Sequence, residues 1–364
     1  MTEVRAALWD GRAFRHIDDL EVRAPQRGEV AVDIDTAGLC HSDLNPVDGV
    51  IEQPLPVVLG HEAVGVVSAV GPGASLPLGA RVVLSVLRSC GVCRACRAGR
   101  PTVCRVSGTP AAAPFTWRGR PVHQFVRTGA FAARTVVAER QAVPITAPID
   151  APIAAMLGCA SVTGFGAVEE RARVAPGDRV LVTGAGGIGL NAVIAARAAG
   201  AERILVVDRN PAKEAVARRC GATDFAVIGD AAEIRDAAAA VAADGFEAAI
   251  ECVGRPEILA AAVESLGWGG RCVIVGLPDA AAVAGIRPRA LFHDKALLGC
   301  RMGSVDPATA LPRLARRVHE GEIDLSPLVS KILPLRDLGE LVDDLRAGGL
   351  DRGFVEMEVR DGDE

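Results

Sequence analysis

Hydrophobic and polar positions change rhythm about halfway along the chain. In the first part, runs such as VRAALWD (4–10), GEVAVDIDTAGL (28–39), AVGVVSAVG (63–71) and ARVVLSVL (80–87) are short and largely alternating. Clusters of Gly, Pro and Asp separate them. This pattern predicts antiparallel, barrel-like strands. From about residue 160, RVLVTGAG (179–186), IGLNAVIAARAAG (188–200), RILVVDRN (203–210) and PAKEAVARRCG (211–221) read as strand, helix, strand, helix. AAIECVG (248–254) and RCVIVGL (271–277) add buried strands between Ala-rich helical stretches. Strands alternating with helices predict βαβ units and a parallel sheet. The end of the chain is mixed, with a helix expected over 307–321 and a strand over 354–360. No internal repeat is visible.

The predicted class is therefore α/β: a doubly wound parallel sheet of Rossmann type beside a mainly β domain. The expected boundaries are 1–160 for the β domain with a lobe at 88–106, 161–301 for the Rossmann domain, and 302–364 for a return to the first. A length of 364 residues agrees with two cores rather than one.

Composition removes several function classes. Half of the residues are hydrophobic and 23% are charged, a globular balance. No uninterrupted run of 18 apolar residues occurs, and the N-terminus lacks the apolar core of a secretory signal, so a cytoplasmic protein without a membrane span is expected. A net charge of −5 speaks against nucleic acid as a partner. Lysine is rare and tyrosine absent, a bias we assign to an Ala-, Arg- and Gly-rich genome; no tyrosine is available for proton transfer.

The buried-strand run Val180–Thr183 leads directly into Gly184-Ala185-Gly186-Gly187-Ile188-Gly189, a helix follows, and a second strand ends at Asp208. In that setting GxGxxG is a dinucleotide fingerprint. Glycines let the backbone turn tightly and approach a pyrophosphate, and the helix N-terminus offers unpaired N–H groups. Asp208 would accept the ribose hydroxyls and repel a 2′-phosphate, which favours NAD over NADP. Arg209 pulls the other way.

Cys90, Cys93, Cys96 and Cys104 follow CxxCxxCx7C within one loop. Four thiolates suit a closed tetrahedral zinc site that supports structure, although spacing alone leaves an iron–sulfur cluster open. Arg88, Arg94, Arg97 and Arg100 flank the lobe and would offset its negative charge. A second set is dispersed: Cys40 in GLCHSD, His61 and Glu62 in LGHEAVGVV, and Cys159 in LGCASVTGFG. Cys/His/Cys with a fourth position open is the pattern of a catalytic zinc.

Together with GTP…FTWRGRPVHQF and VVDRNP, these motifs make the chain resemble the zinc-dependent medium-chain alcohol dehydrogenases over essentially its whole length, in the branch holding the class I and class III enzymes. The resemblance implies a GroES-like fold for the β domain, two zinc ions per subunit, and NAD-linked oxidation of an alcohol to an aldehyde. It makes Cys40, His61 and Cys159 ligands of the catalytic zinc, sets Glu62 close behind the metal, and gives Asp43 the role of holding His61. Ser42 would pass the alcohol proton. His41 and Arg352 would contact the pyrophosphate; Thr163, Ile188, Val275 and Met302 would surround the nicotinamide; Val86, Phe125 and Val126 would line the substrate pocket. A homodimer joined through edge strands near 285–300, or a tetramer, is implied as well.

Two departures qualify this. Asn45 stands where many members carry a histidine that ends the proton relay, which leaves water or His41 to finish it. The span from Cys104 to Phe115 is shorter than in the class III enzymes, which disfavours a glutathione adduct and leaves a mycothiol adduct or a simple primary alcohol. Val86 replaces an aromatic ring common at that position and makes room for an aromatic or allylic alcohol. The rivals are a thiol-dependent formaldehyde dehydrogenase and a non-catalytic NAD-binding zinc protein.

Overall fold

The computed structural model describes residues 1–105 and 112–357, which fall into two compact units. The first comprises Met1–Cys159, Asp306–His319 and Val329–Glu364; the second comprises Ala160–Val305 and Glu320–Leu328. The return to the first unit thus falls at Asp306 rather than at 302, and Glu320–Leu328 goes back to the second. The end of the strand expected over 354–360 lies outside the described residues.

In the first unit, five short strands close into a barrel: Thr2–Trp9, Phe14–Val22, Phe115–Trp117, Arg120–Gln124 and Val57–Val58. A second, seven-stranded sheet runs Ala142–Pro144, Arg81–Leu84, Glu62–Val70, Glu29–Leu39, Gly353–Glu356 and Lys331–Pro334, with Arg134–Ala138 also pairing on Glu29–Leu39. The run 80–87 yields strand only to Leu84. Glu29–Leu39 is the organising strand, because Gly38 pairs with Glu62 on one side and Leu39 with Gly353 on the other. Residues far apart in sequence thereby meet at one strand end. Val30, Val32, Ala37, Leu59, Ala63 and Phe131 are fully buried in the core below it.

The second unit holds a six-stranded sheet in the order Asp224–Val227, Arg203–Asp208, Arg179–Thr183, Phe246–Glu251, Leu266–Ile274, Ala296–Gly299, all parallel. In sequence order this is 3-2-1-4-5-6, the doubly wound dinucleotide topology. The strands are nearly continuous Val, Leu and Ile because helices cover both faces. Ala151–Ala172 is helical throughout, with two π-helical stretches. It is long and apolar enough to cross a bilayer, yet 89% of its most apolar window is buried inside the protein, the character of a core helix.

Glu251, at the carboxyl end of its strand, is fully buried. Its Oε1 accepts hydrogen bonds from the N–H groups of Val253 (2.7 Å) and Gly254 (2.9 Å), and its Oε2 has no partner among the described residues. Burial pushes this carboxyl up from its ordinary value, against those N–H groups and the Thr183 hydroxyl. The folded state therefore holds the proton longer than the unfolded chain does. Stability from this group is complete below pH 4.5, its ordinary value, and is lost as pH rises through the folded value. Glu251→Gln keeps an acceptor for both N–H groups and stays neutral. Urea unfolding from pH 4 to 8 should show the variant gaining on the parent above pH 4.5 and then levelling off; parallel curves would refute the assignment.

Candidate active site

Cys40 follows the end of the Glu29–Leu39 strand and opens a single helical turn, His41–Leu44. Asp43 in that turn is fully buried. Its Oδ2 accepts from the Cys40 N–H (3.0 Å), and its Oδ1 accepts from the Gly60 N–H (3.0 Å) and from His61 Nδ1 (2.9 Å). A carboxylate only accepts, so His61 carries a proton on Nδ1, which leaves Nε2 as the nitrogen that a neutral ring could offer a metal. Gly60 takes a φ of +88°, and a Cβ there would lie 2.8 Å from the Phe131 nitrogen. Phe125, buried, meets the His61 ring edge-on at 5.9 Å between centroids.

Cys159 arrives from another direction. The helix Ala151–Met156 packs against the strands Glu29–Leu39 and Glu62–Val70, then loosens into the π-helical turn Leu157–Ser161. Such turns recur at functional sites. Gly158 lets this turn press on the neighbouring strand: a Cβ would come 2.1 Å from the Leu84 carbonyl oxygen. The result is one group in which a ligand atom from each of Cys40, His61, Glu62 and Cys159 lies within 4.8 Å of the others.

Arg352 donates from Nη2 to Glu62 Oε1 (2.9 Å) and from Nη1 to the Leu39 carbonyl (3.2 Å), buried beneath the same group. The resemblance implies a phosphate contact for it, and the structure shows its pairing with Glu62. Glu62 Oε2 has no partner among the described residues, and Gly38 leaves room for it, since a Cβ there would sit 2.9 Å away.

Charge is crowded here. Its hydrogen bond with Cys159 draws the Cys40 thiol well below its ordinary value, helped by Arg352 and His61, while the same bond and burial push Cys159 well above. Burial pushes Glu62 up to about 7 despite Arg352. Burial disfavours the charged form of His61, but the charges of Asp43 and Cys40 outweigh it and raise the ring well above its ordinary value. Two soft thiols, an imidazole nitrogen and a carboxylate oxygen within 4.8 Å of one another are a donor set that fits a divalent cation.

The four-cysteine lobe shows the closer fit. Cys93 Sγ lies 3.8 Å and Cys90 Sγ 3.7 Å from Cys104 Sγ. A tetrahedral ion with bonds of about 2.3 Å to sulfur needs sulfurs about 3.8 Å apart, far beyond a disulfide. A cluster of several iron atoms would hold its thiolates wider, so a single ion is favoured. Backbone N–H groups of Cys93 and Cys90 point at Cys90 Sγ (3.3 Å) and Cys104 Sγ (3.5 Å). The N–H groups of Val92 and Cys93 lower the Cys90 thiol. Residue 106 of the expected lobe, and residues 106–111 of the shortened Cys104–Phe115 span, lie outside the described residues.

In the second unit, Gly184 turns at a φ of +87° and Gly189 allows close packing, since its Cβ would lie 1.9 Å from the Gly184 carbonyl oxygen. A Cβ at Gly186 would touch nothing within 4 Å, so the loop before helix Gly187–Ala198 leaves an open cradle. Asp208 is held by the N–H groups of Ala185 (2.7 Å) and Asn210 (2.8 Å), and Arg209 is exposed. Thr163 is buried in Val162–Gly166; Gly166 and Gly303 abut, which brings the turn of Met302 beside that helix. Ile188 and Val275 are half-buried, the Val275 N–H donating to the Glu251 carbonyl. In the first unit His41 is exposed, Ser42, Asn45 and Val86 are half-buried, and Val126 is exposed at a φ of +38°.

Residues 26–147 match the alcohol dehydrogenase GroES-like domain, and residues 187–318 the zinc-binding dehydrogenase domain. The chain is 35% identical over 352 residues to the S-(hydroxymethyl)glutathione dehydrogenase of Synechocystis sp., covering 93% of this chain and 95% of that protein. Among solved structures it resembles an alcohol dehydrogenase zinc-binding domain protein from Burkholderia ambifaria (TM-score 0.92, 31% identity) and the benzyl alcohol dehydrogenase of Acinetobacter calcoaceticus (TM-score 0.89, 30% identity). Each likeness covers 98% of this chain and 100% of the other. Motifs, sheet order and these likenesses agree, and the chain belongs to the zinc-dependent medium-chain alcohol dehydrogenase family, oxidoreductases with a GroES-like domain and a Rossmann-type zinc-binding dehydrogenase domain.

Proposed function

We propose that this chain is an NAD-dependent dehydrogenase that oxidises a primary alcohol, aromatic or allylic, reversibly to its aldehyde, with two zinc ions per subunit. The buried group of Cys40, His61, Cys159 and Glu62 carries the reading. Cys40, His61 and Cys159 would hold one zinc, and Cys90, Cys93, Cys96 and Cys104 the other. When bound, the first zinc supplies Lewis acidity that lowers the pKa of an alcohol oxygen, and the nicotinamide accepts the hydride.

The protein's own part is positioning and proton transfer. Asp43 fixes the tautomer of His61, Phe125 packs on its ring, and Arg352 restrains Glu62. Ser42 takes the alcohol proton. Asn45 has no ionisable group to receive it, so it passes to solvent or to the exposed His41. Gly184, Gly186, Gly187 and Gly189 cradle the pyrophosphate, and Asp208, held by two N–H groups, binds the ribose diol and selects NAD. The half-buried Val86 leaves width for an aromatic ring, as suits a relative named for benzyl alcohol. A second reading, oxidation of a thiol–formaldehyde adduct, is favoured by the Synechocystis relative.

The two readings separate in one assay: reduced cofactor formed from benzyl, allyl and short aliphatic alcohols with NAD or NADP, and from formaldehyde with and without glutathione or mycothiol. Turnover of benzyl alcohol without thiol, at least about tenfold better with NAD, is expected; turnover only of thiol adducts installs the second reading instead. Elemental analysis should find two zinc ions per chain. Cys159→Ala should lose one of them and about a thousandfold or more in kcat while keeping its fold. Cys93→Ser should lose the other and unfold or aggregate, because a closed zinc site contributes to folding. Equal behaviour of the two variants would refute separate roles.

We further propose a homodimer joined along Ala296–Gly299, the last strand of its sheet. Trp268, 79% exposed, stacks on His293 there, and Phe292 is 78% exposed. Light scattering after size exclusion should give two chains per particle, reduced to one in Trp268→Glu/Phe292→Glu. A monomeric parent refutes the dimer, and four chains replace it with a tetramer.

A further inference from the structure

The proposed chemistry gives no part to Glu251, the fully buried acid at the carboxyl end of Phe246–Glu251. That strand is the fourth in the order 3-2-1-4-5-6 and lies beside the first, Arg179–Thr183, with Thr183 opposite Glu251. The order reverses between these two strands. In open parallel sheets the ligand crevice lies there, beyond the carboxyl ends. Glu251 therefore stands at the base of the crevice, one strand away from the Gly184–Gly189 loop.

Its side chain and its main chain hold two different loops. The carboxyl folds back on the loop after its own strand, Oε1 accepting from the N–H groups of Val253 (2.7 Å) and Gly254 (2.9 Å). The carbonyl accepts from the N–H groups of Val275 (2.8 Å) and Gly276 (2.9 Å), in the loop after Leu266–Ile274. The Cys252 N–H donates in turn to the Thr183 carbonyl (3.1 Å), so the loops after the first, fourth and fifth strands are joined through residues 251 and 252. Two of these loops meet backbone on backbone, since a Cβ at Gly276 would lie 2.2 Å from the Gly254 nitrogen. Val253 is 42% exposed and overhangs the first loop: a Cβ at Gly184 would come 3.0 Å from its Cγ2.

Stability does not require an acid at this position. Glu251 Oε2 is sealed from solvent and has no partner among the described residues, and burying an unpaired polar oxygen is unfavourable. The two N–H groups that Oε1 satisfies belong to an exposed and a half-exposed residue, where water could serve them. A group that is costly to the fold and sits at a ligand crevice points to positioning. A loop fixed before its ligand arrives adds no ordering cost to binding.

We propose that Glu251 is the positioning residue of this crevice. It presets the loops 252–254 and 275–277, and with them the apolar side chain of Val253 over the Gly184 turn, as the surface on which the dinucleotide binds. This role rests on the NAD-dependent reading of the chain.

Amide hydrogen exchange and NADH fluorescence test it on the zinc-loaded full chain, beside two variants. Glu251→Gln keeps a side-chain acceptor; Glu251→Met keeps the length and removes it. In the unmodified protein the amides of Val253, Gly254, Val275 and Gly276 should be protected before NADH is added, within about tenfold of those in Arg179–Thr183. In Glu251→Met the amides of Val253 and Gly254 should exchange at least about tenfold faster and NADH should bind at least about tenfold more weakly. Its thermal midpoint should fall by no more than about 2 °C, a combination that a merely structural role would not produce. Glu251→Gln should restore both exchange and binding to within about threefold of the parent. Protection that appears only after NADH is added needs no variant to be seen, and it would overturn the role. So would NADH binding in Glu251→Met equal to the parent's, or Glu251→Gln as weak as Glu251→Met. In each of these cases a parent that binds NADH leaves the NAD-dependent reading standing, whereas a parent that binds none overturns both.

Discussion

The first unit is organised around the buried carboxylate of Asp43. Taking a charge from water into a protein core costs several kcal/mol unless it is fully paired. Asp43 is paired by the N–H groups of Cys40 and Gly60 and by the imidazole of His61. Those partners lie on two segments that nothing local in sequence would join. One carboxylate thus fixes the position of Cys40, the approach of the second segment and the tautomer of His61. Loss of any one bond would leave part of a buried charge unpaired, which makes the arrangement all-or-none.

Two glycines fix the geometry that Asp43 does not. Gly158 lets the π-helical turn with Cys159 lie against the Leu84 carbonyl, and Gly38 leaves space for the partnerless oxygen of Glu62. At Gly158 a methyl group would overlap a backbone oxygen that it cannot displace cheaply, and at Gly38 it would press on the Glu62 carboxylate. The ligand set is therefore held by backbone contacts as much as by side-chain bonds, as precise positioning of a metal requires.

What could be read from the sequence follows the range of the interactions. The GAGGIG loop and the CxxCxxCx7C lobe are local, so spacing alone shows their chemistry, and the strand order around Gly184–Gly189 agrees with it. Cys40, His61 and Cys159 become one group only through a long-range sheet, and their joint reading leaned on resemblance. The barrel strands Val57–Val58 and Phe115–Trp117 are too short to show a period. The helix Ala151–Ala172 carries no polar face because it is buried, so it gave no helical rhythm. The ion pair of Glu62 with Arg352 spans 290 positions, and a pattern that ends at the C-terminal strand does not announce it.

Charge in the ligand group explains why the site and its ion belong together. Cys40, Cys159, Asp43 and Glu62 could place four negative charges in one core, against Arg352 and the imidazole of His61. Without a cation the group must retain protons, as the raised thiol of Cys159 and the Glu62 carboxyl at about 7 indicate. A divalent cation held by Cys40, His61 and Cys159 would replace those protons, let both thiols ionise and leave His61 neutral, its ring proton committed to Asp43. Metal uptake and proton release would then be one event, because the fold buries these ligands so deeply that a cation satisfies them more fully than protons do.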